Sequence, residues 1–300
     1  MPINENRNLY FGYGSNLNKG DLIKWCEKRS CKYPFTTGAS FKAKLIDYRL
    51  GFNHYSQTRK AYALNVMEKV GSVVEGIVFE VDGEEGWNTI DKKEGAPGHY
   101  RRVPVVVNKE NNELIKAYTY LSTRPDSPEI VQQKREGQSG DYYRIVRDGY
   151  KSHGLKSDIL DMVYDGENHP PFTDAVFVYG TLMRGQSRFG VIENNRPVSI
   201  LSGEVSGRLI DLCAYPGLVE VNSSSYRVKG EIVSFGKEIT SLLKKLDRIE
   251  EFYGMDSDDS LYYRIPVRVD LEGGHSKEAW TYLYSNPPEN PRYIPDGRWV

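Results

Sequence analysis

Apolar and polar positions alternate with a period of two over several short stretches of the chain and with a helical period over a few longer ones. Residues 41–48, 61–66, 74–81, 102–107 and 117–121 are rich in β-branched and aromatic residues, are broken by turn-formers, and predict strands. Residues 18–28 predict a helix, with Asn18 as its N-cap and Leu22, Ile23, Trp25 and Cys26 as apolar positions. A short helix is expected over 84–95. A longer helical region is expected over 141–163, carrying Tyr142, Ile145, Tyr150, Leu155, Ile159, Leu160 and Met162. Residues 165–171 combine turn-formers with two prolines that stop a helix.

Beyond this point the order of elements begins again. Phe11-Gly12-Tyr13-Gly14-Ser15-Asn16-Leu17 is answered by Phe177-Val178-Tyr179-Gly180-Thr181-Leu182, and Lys44-Leu45-Ile46-Asp47 by Arg208-Leu209-Ile210-Asp211. Val74-Glu75-Gly76 is matched by Val228-Lys229-Gly230, Tyr100 to Val105 by Tyr262 to Val267, and Ala117 to Leu121 by Ala279 to Leu283. A period this long is a duplicated domain and not a solenoid. The expected organisation is a first domain over residues 1–165, a linker over 166–174 and a second domain over 175–300. The second copy has no counterpart of 141–163 and ends in a proline-rich tail, 287–295, expected to wrap the surface.

Each Tyr-Gly-Ser/Thr turn stands between a strand and residues that can be helical. Backbone N–H groups and a small hydroxyl gather there, where an anion such as a carboxylate is favoured. A second pattern comes from the helical wheel at about 100° per residue, which sets Glu94 roughly 20° from Trp87 and 40° from Ile90. Glu250 stands in the same relation to Leu243 and Leu246, so the wheel selects it over Glu251. A glutamate on an apolar face is costly unless it is paired or its pKa rises, and a raised pKa suits a group that takes and returns a proton near neutral pH. The bland alternative is a structural glutamate that bonds a loop or pairs with Arg102 or Arg264. Asp91 and Asp247 fall nearer the lysines and read as caps or surface pairs. Tyr100, Tyr262, Tyr120 and Tyr282 either close a pocket or belong to the core, and Tyr142 reads as core.

Composition narrows the partners. The 300 residues include 40 basic and 41 acidic side chains, so no electrostatic footprint of nucleic-acid or anionic-membrane binding is present. No apolar run approaches the roughly 20 residues of a membrane-spanning helix. The polar residues 1–8 lack the apolar core of a secretory signal, and three cysteines argue against a disulfide framework, so a cytoplasmic protein is expected. Five scattered histidines and the absence of paired cysteines at zinc-like spacing predict no metal. The 22 tyrosines suit pockets that want an aromatic body with a polar tip.

Tyr13-Gly14-Ser15-Asn16-Leu17, together with the glutamate of Asp91-Lys92-Lys93-Glu94-Gly95, resembles γ-glutamylcyclotransferase over nearly all of the first half, including residues 137–161. The second half is similar to the γ-glutamylamine cyclotransferase and AIG2-like branch, through its Tyr-Gly-Thr-Leu turn and Arg184-Gly185. The resemblance implies an α+β protein of two tandem domains, each a small mixed β-barrel with flanking helices. It implies that Tyr13, Gly14, Ser15, Asn16 and Leu17, and Tyr179, Gly180, Thr181 and Leu182, hold the glutamyl end of a small-molecule γ-glutamyl substrate. Glu94 and Glu250 would be the acid/base groups, with Tyr100, Tyr120, Tyr142, Tyr262 and Tyr282 around the substrate, and no cofactor. Two departures from the family pattern stand out: a shorter gap between Glu94 and Tyr100, and Glu251-Phe252 where the family favours glycine.

The chemistry suits such a constellation. The α-amine attacks the side-chain carbonyl of the same molecule, closes 5-oxoproline and expels an amine. Well-oriented intramolecular attack has an effective molarity on the order of 10⁵ to 10⁸ M. No Gly-Lys-Ser/Thr follows either turn, which argues against a phosphate-hydrolysing loop. Ser15 or Thr181 as a covalent nucleophile lacks a nearby base in sequence. The rival from another class is a non-catalytic module that binds a γ-glutamyl-like metabolite or a protein.

Overall fold

The computed structural model describes residues 8–38, 40–134, 140–221, 225–236 and 239–300. The chain divides into two compact units, one ending at Pro170 and the other running from Pro171 to Val300. In the first, β1 (Leu9–Gly12), β2 (Phe41–Ser56), β3 (Ala61–Glu80), β4 (Tyr100–Lys109) and β5 (Leu114–Ser122) close into a barrel in the order β1-β3-β2-β4-β5. All pairs are antiparallel except β1 with β5, which run parallel with Tyr10 opposite Tyr118. Around the barrel lie α1 (Lys19–Arg29), α2 (Gly83–Glu94), α3 (Pro128–Lys134), α4 (Asp141–Ser152) and α5 (Asp158–Asp165).

The second unit repeats the plan. Its strands are β6 (Ala175–Val178), β7 (Ser199–Ser206), β10 (Arg227–Ser234), β11 (Tyr262–Leu271) and β12 (Ser276–Tyr284), closed as β10-β6-β12-β11-β7 with β6 parallel to β12. The helices α6 (Phe189–Glu193) and α7 (Ile239–Ile249) flank it, and β8 (Arg208–Asp211) pairs with β9 (Pro216–Val219) in a separate two-stranded sheet. Two α+β barrels in tandem are therefore the architecture of this chain.

Several sequence expectations change in detail. The strands expected over 61–66 and 74–81 are one continuous β3, which follows β2 through bulges at Asp47 and Asn53. Asp47 adopts φ 63° and its carboxylate accepts from the Gly71 amide at 2.9 Å, so the ladder kinks without ending. The helix expected over 141–163 breaks into α4 and α5, with Gly154 at φ 63° between them. The short α3 was not foreseen. Of the region said to resemble the family over 137–161, residues 137–139 lie outside the described residues, as do 1–7 of the amino terminus.

The register also corrects one matched landmark. Ala43 pairs with Gly76, and Gly203 pairs with Gly230, so the barrel counterpart of Lys44-Leu45 is Glu204-Val205 and not Arg208-Leu209. Arg208-Leu209 instead matches Arg49-Leu50, a frame in which β8 and β9 stand for the outer half of the β2–β3 hairpin. The tail lies alongside β8: the Asp211 amide donates to the Arg292 carbonyl and the Ile294 amide to the Leu209 carbonyl, each at 2.8 Å. Within the expected linker, His169 is buried in the first unit, where its Nδ1 accepts from the Leu50 amide at 2.9 Å.

The core of each barrel is anchored where its first strand crosses a glycine. A Cβ at Gly76 would stand 2.5 Å from the Gly12 carbonyl oxygen, and one at Gly230 only 2.3 Å from that of Val178. Both glycines also receive a fully buried ring, Phe11 or Phe177. Gly230→Ala is expected to lower stability in urea unfolding by roughly 2 kcal/mol or more, as overpacking does. Gly190→Ala, where a Cβ meets nothing within 4 Å, should leave the transition in place.

Candidate active site

At the end of β1 the chain turns at Tyr13-Gly14, and residues Ser15–Leu17 form a single 3₁₀ turn closed by the Leu17 amide on the Gly14 carbonyl at 3.0 Å. Asn18 then caps α1, its side chain accepting from the Asp21 amide at 3.0 Å, as expected from the sequence. The turn is clamped from three sides. The Tyr13 hydroxyl donates to the Tyr120 carbonyl at 2.6 Å, the Tyr150 hydroxyl donates to the Tyr13 carbonyl at 3.2 Å, and the His153 ring nitrogen lies 3.2 Å from the Leu17 carbonyl. Helix α4 comes this close because Gly149 lies against Leu17, where a Cβ would stand 2.8 Å from the leucine Cβ.

Helix α2 delivers the carboxylate. Acidic Glu84 and Glu85 occupy its first turn and Lys92 and Lys93 its last, in accord with the helix dipole, and Gly95 ends it in the left-handed region at φ 63°. Trp87 and Ile90 are buried, so Glu94, on the same face, is aimed inward. Asn16 of the turn donates to Glu94 Oε1 at 2.7 Å and to the Tyr10 hydroxyl at 2.9 Å. Burial raises the Glu94 pKa, opposed by the neighbouring Lys93 ammonium and the Asn16 hydrogen bond.

The second unit has the same layout with fewer polar contacts. The Tyr179 hydroxyl donates to the Tyr282 carbonyl at 2.6 Å, and the Met183 amide donates to the Gly180 carbonyl at 3.0 Å. Instead of a long helix, a run of turns follows, ending in the five residues of α6. Glu250 follows directly on α7, its amide donating to the Leu246 carbonyl at 2.9 Å. Burial pushes its carboxyl up to about 7, against the pull of Arg188. Leu182 holds the place of Asn16, Val176 that of Tyr10, and Ile249 that of Lys93, so Glu250 has none of those polar neighbours.

The tyrosines and aspartates form a repeated scaffold. The Tyr120 hydroxyl donates to Asp91 at 2.5 Å, and that of Tyr282 to Asp247 at 2.7 Å. Arg102 lies 3.7 Å from Asp91, and Arg264 donates to Asp247 at 2.7 Å. Asp91 forms a part-exposed pair with Arg102, in line with the surface pair its wheel position suggested, whereas Asp247 is enclosed against the buried Arg264 and is not a surface pair. Each carboxylate also ties the barrel's last strand to the helix that carries the glutamate. Tyr100 and Tyr262 likewise turn their hydroxyls to backbone carbonyls, Leu64 at 3.0 Å and Pro216 at 2.9 Å. The Tyr142 hydroxyl accepts from the Leu64 amide at 3.3 Å, and burial pushes its pKa up to about 12.

A cavity of about 470 Å³ opens over the first turn. It gathers Tyr13, Gly14, Ser15, Asn16, Glu94, Tyr100, Tyr120 and Tyr142, while Leu17 lies beneath in the core. The second cavity holds only about 80 Å³ and gathers Tyr179, Gly180, Thr181, Leu182, Glu250, Tyr262 and Tyr282. Sequence reasoning missed Tyr10, His54, Arg59 and Lys93 in the first cavity and Arg188 and Tyr215 in the second. Tyr10 carried a signal, since it stands two residues before the Gly12 that opens the turn. Arg59 carried none, because only the β2–β3 hairpin brings it across the barrel mouth. Glu251, a departure noted in the sequence, occupies the left-handed position of Gly95 at φ 51°.

A sequence model of the family described as gamma-glutamyl cyclotransferase, AIG2-like, matches residues 10–144 and again 176–300. The chain belongs to that family. Its relatives include the gamma-L-glutamyl-butirosin B gamma-glutamyl cyclotransferase of Niallia circulans, 32% identical over 115 residues, or 38% of this chain and 69% of that protein. A putative gamma-glutamylcyclotransferase of Vibrio cholerae is 27% identical over 124 residues, 41% of this chain and 93% of the relative. Among solved structures, one of a gamma-glutamyl cyclotransferase is similar at 24% identity and a TM-score of 0.38, covering 53% of this chain and 98% of that one.

Within this family frame the two sites differ in what holds them. The Arg264 side chain is fully buried against Asp247, whereas Arg102 and Asp91 are 36% and 30% exposed. Asp247→Asn is therefore expected to cost about 3–5 kcal/mol in urea unfolding. Asp91→Asn should cost only about 1–2 kcal/mol.

Glu250 gives a pH signature of stability. Its folded pKa lies above the ordinary carboxyl value, so the folded state holds the proton longer than the unfolded one, and stability falls as pH rises from about 4.5 to about 7. Glu250→Gln removes this cost. Thermal unfolding at pH 8 is expected to show a gain on the order of 1–3 kcal/mol, with no gain at pH 4.

Proposed function

We propose that the chain releases 5-oxoproline from γ-glutamyl compounds, with Glu94 as the proton-transfer group of the first site and Glu250 as that of the second. The observation that carries this reading is the recurrence of one arrangement in both barrels. A desolvated glutamate at the end of a helix faces a Tyr-Gly turn built on the end of the first strand.

In this reading the turn grips the glutamyl end of the substrate and folds it so that the α-nitrogen meets the side-chain carbonyl carbon. The amides after Gly14 supply donors where the oxyanion develops. The glutamate removes a proton from the α-ammonium, the new C–N bond forms, and that proton passes through the glutamate to the departing nitrogen as its bond to carbon breaks; the second proton lost by the ring nitrogen goes to the freed amine, which leaves as an ammonium beside the neutral lactam. Atoms balance without water or a redox partner. The raised pKa serves both halves of the transfer, since an ordinary carboxyl near 4.3 would be a poor donor to the leaving nitrogen. Tyr13, Tyr100 and Tyr120 bond to the protein through their hydroxyls and offer ring faces as pocket walls.

For the second unit a non-catalytic binding role is the competing reading. It is favoured by the small cavity and by the loss of Asn16, Tyr10 and Lys93 equivalents around Glu250.

The test is a panel of γ-glutamyl amides and peptides with 5-oxoproline read by mass spectrometry. Glu94→Gln should reduce turnover at the first site by about 10²–10⁴-fold. The turnover that remains should fall on the acid side with a midpoint near 7, because a base must be deprotonated, and should vanish with Glu250→Gln. Turnover untouched by either change and by the pair would overturn the assignment of both glutamates. Loss on Glu94→Gln alone would leave the second unit as a binding module.

A further inference from the structure

We propose that Cys26 and Cys31, at the end of α1, form a redox-active dithiol that exchanges with small disulfides, Cys31 attacking first and Cys26 closing the bond, with Lys92 as the counter-charge of the attacking sulfur. The backbone at the end of α1 fixes the pair. Ser30 turns into the left-handed region at φ 51°, its amide donates to the Glu27 carbonyl at 3.2 Å, and the Cys31 amide donates to the Cys26 carbonyl at 3.0 Å. In a helix end closed by these two bonds, the side chains of the first and sixth residues meet. The Cys31-to-Cys26 bond holds their Cα atoms no more than about 7 Å apart even in its straightest arrangement, and any bend brings them within the roughly 4.4–6.8 Å that a disulfide spans.

The two thiols differ in their surroundings. Cys26 is 3% exposed and belongs to the core, against which the half-buried Cys31 packs. Burial first, and then the neighbouring Cys31, push the Cys26 thiol up, against the pull of the Lys93 ammonium, while Glu27 adds to the rise. Tyr33 is a further titratable group that feels Cys26. Cys26 is thus poorly placed to meet an oxidant from solvent and well placed to attack a sulfur already held beside it.

The Cys31 sulfur lies 3.4 Å from the Arg29 carbonyl and 3.4 Å from Lys92 Nζ. The free carbonyls at the end of a helix disfavour negative charge, and the Lys92 ammonium, reaching over from the last turn of α2, offsets them as the sulfur becomes anionic. The third cysteine, Cys213, is exposed and is the one cysteine in the second unit, so no such pair exists there. Trp25, Lys28 and Arg29 line the first cavity together with Lys92, which puts the dithiol in the wall of that cavity.

The exchange balances with a small disulfide as oxidant. The Cys31 sulfur attacks it, its S–S bond breaks, and one small thiol leaves with the Cys31 proton. The Cys26 sulfur then attacks the Cys31 sulfur of the mixed disulfide, and the second small thiol leaves with the Cys26 proton. Both cysteine sulfurs are oxidised and the small disulfide is reduced to two thiols.

The experiment uses the full chain carrying Cys213→Ser, treated with hydroxyethyl disulfide and followed by intact mass and peptide mapping. The expected product is a single chain lighter by two hydrogens, with the bond mapped between Cys26 and Cys31 and both thiols recovered on reduction. Cys26→Ala should stop at one mixed disulfide on Cys31, and Cys31→Ser should leave Cys26 unmodified until the protein is unfolded. If Cys26→Ala does not fold, the time course of the parent chain decides the order, because the mixed disulfide on Cys31 must precede the internal bond. Lys92→Met should slow the first step severalfold, and Lys92→Arg should restore it. No reaction, a lasting mixed disulfide on Cys31 with Cys26 free, a bond between two chains, or reaction at Cys26 ahead of Cys31 overturns the proposal. An unchanged rate in Lys92→Met overturns the role given to Lys92.

Discussion

The parallel seam that closes each barrel sets the position of both candidate sites. β1 lies beside β5 and β6 beside β12, and each seam is fastened by two side chains that reach across it to backbone carbonyls. Thr119 donates to Phe11 at 2.9 Å and Tyr13 to Tyr120 at 2.6 Å, and Thr281 and Tyr179 make the same bonds at 3.0 and 2.6 Å. The turn after the first strand is thus held to the last strand. The Tyr–Asp bond then ties that last strand to the helix ending in the glutamate. Turn, strand and helix are far apart in sequence, and this chain of short bonds is what brings them to one cavity.

Most of this frame was legible before any coordinates. The repeat showed itself because tyrosines and glycines that face barrel seams and turns are constrained in kind, so they recur at matched positions. The wheel found Glu94 and Glu250 because the face of a helix is fixed by its apolar residues, here Trp87 with Ile90 and Leu243 with Leu246. Hydrogen-bond partners were not legible. Asp91 and Asp247 looked like surface residues from their own helices, and only the strand that packs beside each helix supplies the tyrosine hydroxyl and the arginine. The false match of Lys44–Asp47 with Arg208–Asp211 has a similar cause: short apolar-polar alternation repeats every two residues and cannot by itself fix a register.

The two copies divide one plan into different strengths. In the first, polar side chains surround the glutamate: Asn16 bonds it, Tyr10 bonds Asn16, and Lys93 stands beside it. In the second, leucine, valine and isoleucine take those places, and the carboxyl answers to burial with Arg188 as its main counterweight. The scaffold shifts in the opposite direction. The first Asp–Arg pair is half in water, whereas the second is enclosed, so the copy with the simpler site has the more deeply charged frame.

The division of the second hairpin into short pieces bears on how each barrel assembles. In the first unit β2 and β3 are neighbours in sequence and pair over most of their length, so they can zip outward from their own turn with little loop entropy to overcome. In the second, Gly207 at φ 143° breaks the corresponding strand, and β8 completes its outer edge with the tail near Tyr293. That edge is finished only when the end of the barrel returns to its beginning. The outer edge of the earlier copy is therefore made by neighbours in sequence, while that of the later one rests on a long-range contact.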